Sequence, residues 1–224
     1  MTDFPLISPP LGEIYMFNKP AGYLTSCRDP YGATVMEFFP EGTARRLHPV
    51  GRLDRDTRGL LLFTDDGRVD RALLEPERHV PKKYFFYAIG EVTPEMAEKI
   101  ASGVFIGGSG VMSRPAVFRR TGVFTVSQIA GYLPPSRKTR YLKNPNGAAF
   151  SAELEISEGR KHQVKLMMRA VGCRVVYLRR ISVGGISLDE SLPEGGYRPL
   201  NDGERKIIEA YVAASEQRPT VKND

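Results

Sequence analysis

The sequence predicts an α+β fold, and three observations carry that reading. Strand-like and helix-like segments interleave along the whole chain. Residues 84–92 are rich in aromatic and β-branched side chains, which suit a pleated surface. Residues 160–171 place Val164, Met167, Met168 and Val171 at the i, i+3, i+4, i+7 spacing of a helix with one core-facing side.

The elements follow in order. Residues 1–12 are Pro-rich and read as an irregular lead-in. Residues 13–18 form a strand, stopped by the turn Lys19-Pro20-Ala21-Gly22. Residues 34–39 make one or two helical turns. Leu60 to Phe63 is a short apolar run, read as a central strand that ends in a tight turn at Asp65-Asp66-Gly67. Residues 68–75 form a helix that stops at Pro76. Residues 94–102 form another, opened by Pro94 and closed by Gly103. Residues 114–125 make one or two strands. Residues 131–147 hold Pro134, Pro135 and Pro145 among Arg137, Lys138, Arg140 and Lys143, and read as a long basic loop. This loop and the Gly-rich stretch 103–110 are candidate hinges. Residues 149–156 alternate as a half-buried strand, Gly172 ends the helix 160–171, and 174–183 is a further strand. A closing helix spans 204–214. One domain therefore covers 13–214, with a polar tail over 215–224.

Composition bounds the function. The chain has 224 residues, 41% hydrophobic and 26% charged, as soluble globular proteins do. It carries 32 Lys and Arg against 26 Asp and Glu, and its pI of about 9.3 modestly favours a polyanionic partner. Cys27 and Cys173 make no disulfide framework or zinc site. No signal peptide and no apolar run of membrane-spanning length are present. A cytoplasmic monomer away from membranes is expected. His48, His79 and His162 lack metal-ligand spacing, so neither metal nor cofactor is expected.

Four motifs carry candidate chemistry. The first is Gly51-Arg52-Leu53-Asp54-Arg55-Asp56-Thr57-Arg58-Gly59, running into Leu60-Leu61-Leu62-Phe63. It reads as a charged turn at a strand edge, as a carboxylate set among arginines for a polyanion, or as an Asp-x-Asp cation site through Asp54 and Asp56. The flanking arginines disfavour the last, since Mg²⁺ sites gather oxygen ligands. The second is Asn18-Lys19-Pro20-Ala21-Gly22, and the third is Lys82-Lys83-Tyr84, where Tyr84 is otherwise an ordinary half-buried aromatic. The fourth is Glu158-Gly159-Arg160-Lys161-His162-Gln163-Val164-Lys165, a basic helix start. A helix N-terminus prefers anions, so phosphate or a carboxylate from elsewhere in the chain would relieve the conflict.

In order and spacing, these four strings resemble the motifs of the Rsu-type pseudouridine synthases over most of residues 13–203. The runs Tyr177 to Gly185 and Gly196 to Leu200 fit that pattern too. The resemblance implies the pseudouridine synthase fold, a mixed and mostly antiparallel sheet flanked by helices, with a basic central cleft. It implies isomerisation of a uridine in ribosomal RNA, either free or in a partly assembled subunit. Asp54 would be the nucleophile, attacking C1′ of the ribose or C6 of the base. Lys165 would be its charge partner, and Tyr84 would stack on the base and assist loss of the C5 proton. Arg52 would fill the space left by the flipped uridine. Lys19, Lys82, Arg58, Arg160, His162 and Gln163 complete the implied RNA-binding set. Many members begin with a small S4-type RNA-binding domain, for which there is no room before Tyr15. A non-catalytic RNA-binding protein on the same fold is the rival, and retention of Asp54 beside RNA argues against it.

Overall fold

The computed structural model describes residues 9–106 and 110–217. Eleven strands and six α-helices alternate among them. Strand β1 (Ile14–Lys19) precedes a 3₁₀ turn at Val35–Phe38, where Thr34 and Glu37 form a reciprocal capping box. The short helix α1 (Glu41–Ala44) leads to β2 (His48–Val50) and β3 (Arg58–Thr64). Helix α2 (Gly67–Leu74), strand β4 (Lys82–Ile89) and helix α3 (Pro94–Ser102) follow. A small hairpin, β5 (Phe105–Ile106) with β6 (Val111–Met112), precedes β7 (Val117–Thr125). Then come α4 (Lys138–Tyr141), β8 (Ala148–Ile156), α5 (Gln163–Ala170) and β9 (Arg174–Val183). The chain closes with β10 (Ile186–Ser187), β11 (Tyr197–Pro199) and α6 (Asp202–Glu216).

One sheet runs in the order β11-β1-β3-β9-β4-β8-β7, with β2 added beside β3 and β10 beside β9. Every neighbouring pair is antiparallel except β3 and β9. At that parallel step Gly59 lies opposite Arg180. A Cβ on Gly59 would stand 2.2 Å from the Arg180 carbonyl oxygen, and its φ is +96°. The glycine lets the two backbones meet where an alanine would collide. One face of the sheet packs Phe17, Leu61, Phe63, Phe86 and Leu178 under α3 and α5. The other packs Met16, Leu60, Leu62 and Val183 under α2 and α6. Leu60 to Phe63 is therefore apolar throughout because both faces of β3 are covered.

The structure corrects the sequence reading in several places. The tight turn expected at Asp65-Asp66-Gly67 is instead a helix start: the Asp66 side chain accepts from Arg68 N and caps α2. Of the one or two strands expected over 114–125, one forms, starting later at Val117 and irregular between Arg120 and Gly122. Helix α5 begins at Gln163, because His162 takes a left-handed conformation with φ +57°. The segment 131–147 is a chain of short helical turns pinned by buried Ile129 and Leu133, and so is no open loop. Residues 9–12 of the lead-in are irregular but tied down: Arg68 donates to the carbonyls of Pro9 and Pro10, and Arg205 to those of Leu11 and Gly12. Helix α6 runs to Glu216, and residues 1–8, 107–109 and 218–224 lie outside the described residues.

Candidate active site

Asp54 stands on the loop between β2 and β3, and its backbone is held at nearly every step. Leu53 is buried in the core, and its N–H and C=O both bond to the Thr25 hydroxyl, at 3.3 and 2.9 Å. Thr57 N donates to the Asp54 carbonyl at 3.0 Å. Lys19, at the end of β1, is fully buried. Its ammonium donates to the carbonyls of Pro20, Thr57 and Arg55 at 2.9, 3.0 and 3.3 Å. The Lys-Pro motif thus clamps the Asp54 loop from beneath. Lys19 was expected among the RNA-binding residues, but its charge faces backbone oxygens, because β1 ends under this loop.

The Asp54 carboxylate is left to face outward, about a fifth exposed. Lys165, in the first turn of α5, reaches it at 2.8 Å and also reaches Asp56 at 2.6 Å. His162 Nε2 lies 3.5 Å from the other Asp54 oxygen. The ion pair implied between Asp54 and Lys165 is therefore present, across 111 residues of sequence.

A cleft of about 790 Å³ opens beside Asp54. Tyr84, Leu178, Ile156 and Val164 supply its apolar wall. Arg52, Lys82, Arg114, Arg160 and Arg180 supply positive charge, against Asp54, Glu75, Glu77 and Glu158. Tyr84 is 8% exposed and sits opposite Arg180 in the β4–β9 register. Burial, reinforced by Arg180, lowers the Lys82 pKa to about 8. A second cleft of about 850 Å³ also borders Asp54, with Thr25, Ser26, Asp29, Arg55 and Lys161 in its lining. The two share Arg52, Leu53, Asp54, Gly159, Arg160 and His162 as a common ridge.

Not every expected residue reaches this ridge. Gln163 is buried, accepts from Arg160 N at 2.9 Å and donates to Glu158. Glu158 also accepts from Arg114 N at 2.9 Å and pairs with Arg160 at 3.0 Å. Gln163 and Glu158 thus shape the loop that presents His162, and both also line the first cleft, so Gln163 braces the site as well as bordering it. Arg58 pairs with Glu194 and lies 5.8 Å over the Tyr177 ring, lining neither cleft. Arg180 was missed. It is buried, donates to the Leu60 carbonyl at 2.8 Å and lines the first cleft. Its signal was available: in a strand it shares a face with buried Leu178, and an arginine there needs a reason.

Comparison with known proteins agrees with this geometry. Residues 13–170 match the family model for RNA pseudouridylate synthases. The chain is 40% identical over 190 residues to ribosomal small subunit pseudouridine synthase A of Escherichia coli strain K12, covering 85% of this chain and 71% of that protein. It is 37% identical to an uncharacterized RNA pseudouridine synthase of Bacillus subtilis strain 168, covering 86% and 72%. A crystal structure of a pseudouridylate synthase superposes with a TM-score of 0.72 at 34% identity, over 90% of this chain and 75% of that one. With these motifs, this sheet and these relatives, the chain belongs to the RNA pseudouridylate synthase family.

Proposed function

We propose that Asp54 is the nucleophile of a uridine isomerisation in ribosomal RNA, with RNA of the small subunit as the substrate suggested by the names of the relatives. The observation that carries the reading is a carboxylate paired with Lys165, facing a cleft with Tyr84 in its wall. The reaction breaks the bond between N1 of uracil and C1′ of ribose, turns the base and joins C5 to C1′. The C5 proton leaves and N1 gains one, so no atom or electron is gained overall. A carboxylate that attacks C1′ or C6 provides the covalent route. Tyr84 stacks on the flipped base and helps remove the C5 proton. Stacking contributes roughly 1–3 kcal/mol, comparable to the few kcal/mol lost on leaving the RNA stack. Arg52, on the ridge, fills the vacated position. The positive side chains of the cleft and its rim meet phosphates.

The Asp-x-Asp cation site is the weaker reading. Lys165 Nζ sits between Asp54 and Asp56, where a divalent ion would have to bind. No described helix is long and apolar enough to cross a membrane. Action as a cytoplasmic monomer, on free RNA or a partly assembled subunit, completes the proposal.

Asp54→Asn is expected to abolish tritium release from RNA labelled at C5 of uridine, with RNA affinity nearly intact. Substantial turnover in the variant would remove Asp54 from the role.

A further inference from the structure

The second cleft has no part in the chemistry above, yet it opens from the same carboxylate. Resting on the proposed uridine chemistry, we propose that this cleft binds the nucleotide adjoining the target uridine and selects a base that carries an exocyclic amino group.

Three observations support it. The clefts share Arg52, Asp54, Arg160 and His162 in their linings. A strand with one nucleotide in the first cleft must pass its connecting phosphate over this shared ridge, and the cations there suit it. The second cleft is lined by polar groups whose hydrogen-bonding capacity is not fully used. Ser26 has a buried hydroxyl with no hydrogen-bond partner, unusual for a native interior. Asp29 gives one oxygen to Tyr31 N at 2.9 Å, and no described group donates to the other. An acceptor there takes the exocyclic amino group of adenine, cytosine or guanine, whereas uracil offers it only the single N3–H, flanked by two carbonyl oxygens that repel a carboxylate. Finally, Tyr31 is 96% exposed on the same loop. Tyr31 is outside the cleft lining but is tied to it through the Asp29 carboxylate, and an aromatic so fully presented is a stacking surface for a base. The loop is not independent of the chemistry, because Thr25, one residue before Ser26, holds both backbone groups of Leu53.

The experiment uses short RNAs with each of the four bases at either neighbour of the target. Binding is read by fluorescence anisotropy and turnover by tritium release. Wild type is expected to bind amino-bearing bases about 10-fold better than uracil at one of the two positions. Asp29→Ala should erase that preference, and Tyr31→Ala should weaken binding about 10-fold whichever base is present. Tyr31 is exposed, so its variant tests the cleft even if a change at Ser26 or Asp29 disturbs the loop. Binding that is flat at both positions, or unaffected by Tyr31→Ala and Asp29→Ala, overturns the assignment. Base-selective binding without turnover on any RNA would retain the nucleotide cleft and refute the isomerisation itself.

Discussion

Lys19 is a buried cation whose three bonds all go to backbone oxygens. Burial is the main influence on it and lowers its pKa from 10.5 to about 8, although Asp56 and Asp54 pull the other way. Between those values the unfolded chain holds a proton that the folded chain lacks, so folding stability rises with pH there. Lys19→Met leaves at least one buried carbonyl without a donor, at a cost of about 1–3 kcal/mol. Urea denaturation is expected to show that loss at pH 7.5. Because the wild type alone gains from this titration, its margin over the variant should widen towards pH 10. A margin independent of pH would mean that Lys19 does not titrate in that window. Gln163 and Arg180 teach the same lesson: a polar residue in a motif is as often the brace of a reactive loop as its working face.

Helix α2 shows how capping places an element. Asp66 accepts from Arg68 N and from Gly12 N, and its bonds to Arg68 hold its pKa at about 2 against an ordinary 3.8. Asp66→Ala should cost about 0.5–2 kcal/mol near neutrality. The contribution is present above pH 3.8 and is lost as pH falls towards 2, so the two proteins should converge in acid unfolding curves. The basic segment is the other element of interest. Its side chains Arg137, Lys138, Arg140 and Lys143 are exposed, and no described carboxylate pairs with them, while Tyr132 stacks on Tyr87 at 4.2 Å beneath. Pro and Gly made this stretch look open. It folds because Ile129 and Leu133 bury against Tyr87, Ala149 and Val176, neighbours that no local window of sequence reveals. Replacing all four cations with Ala should weaken RNA binding. It should also flatten the salt dependence of binding, by roughly 0.9 for each duplex phosphate that is no longer neutralised. An unchanged slope would mean that the segment faces solvent alone.

At the scale of the molecule, the single parallel step between β3 and β9 joins two halves of an otherwise antiparallel sheet. It brings the loop before β3 under the start of α5, which packs against β9, and so sets Asp54 against Lys165. The net charge of +6 suits RNA and the cleft, but the cleft itself carries both signs. Since Lys165 takes the position between the two carboxylates, turnover on a short RNA is expected to be unaffected by a chelator. Loss of activity restored only by a divalent ion bound to the protein would revive the Asp-x-Asp reading.

Apolar periodicity, Pro and Gly punctuation and cap residues are local, and they located most elements, including β4, α3 and the core face of α5. Motif spacing, through its resemblance to a family, named Asp54, Tyr84 and Lys165. Element starts were less legible: α5 begins three residues late because His162 turns left-handed, a choice made by the Glu158–Gln163 bonds around it. Only the tertiary structure decided which motif residues face the cleft. Whether a lysine reaches solvent or a backbone carbonyl depends on what packs beneath it, and the Arg55 carbonyl that Lys19 meets and the Lys165 ammonium that Asp54 meets lie 36 and 111 residues away.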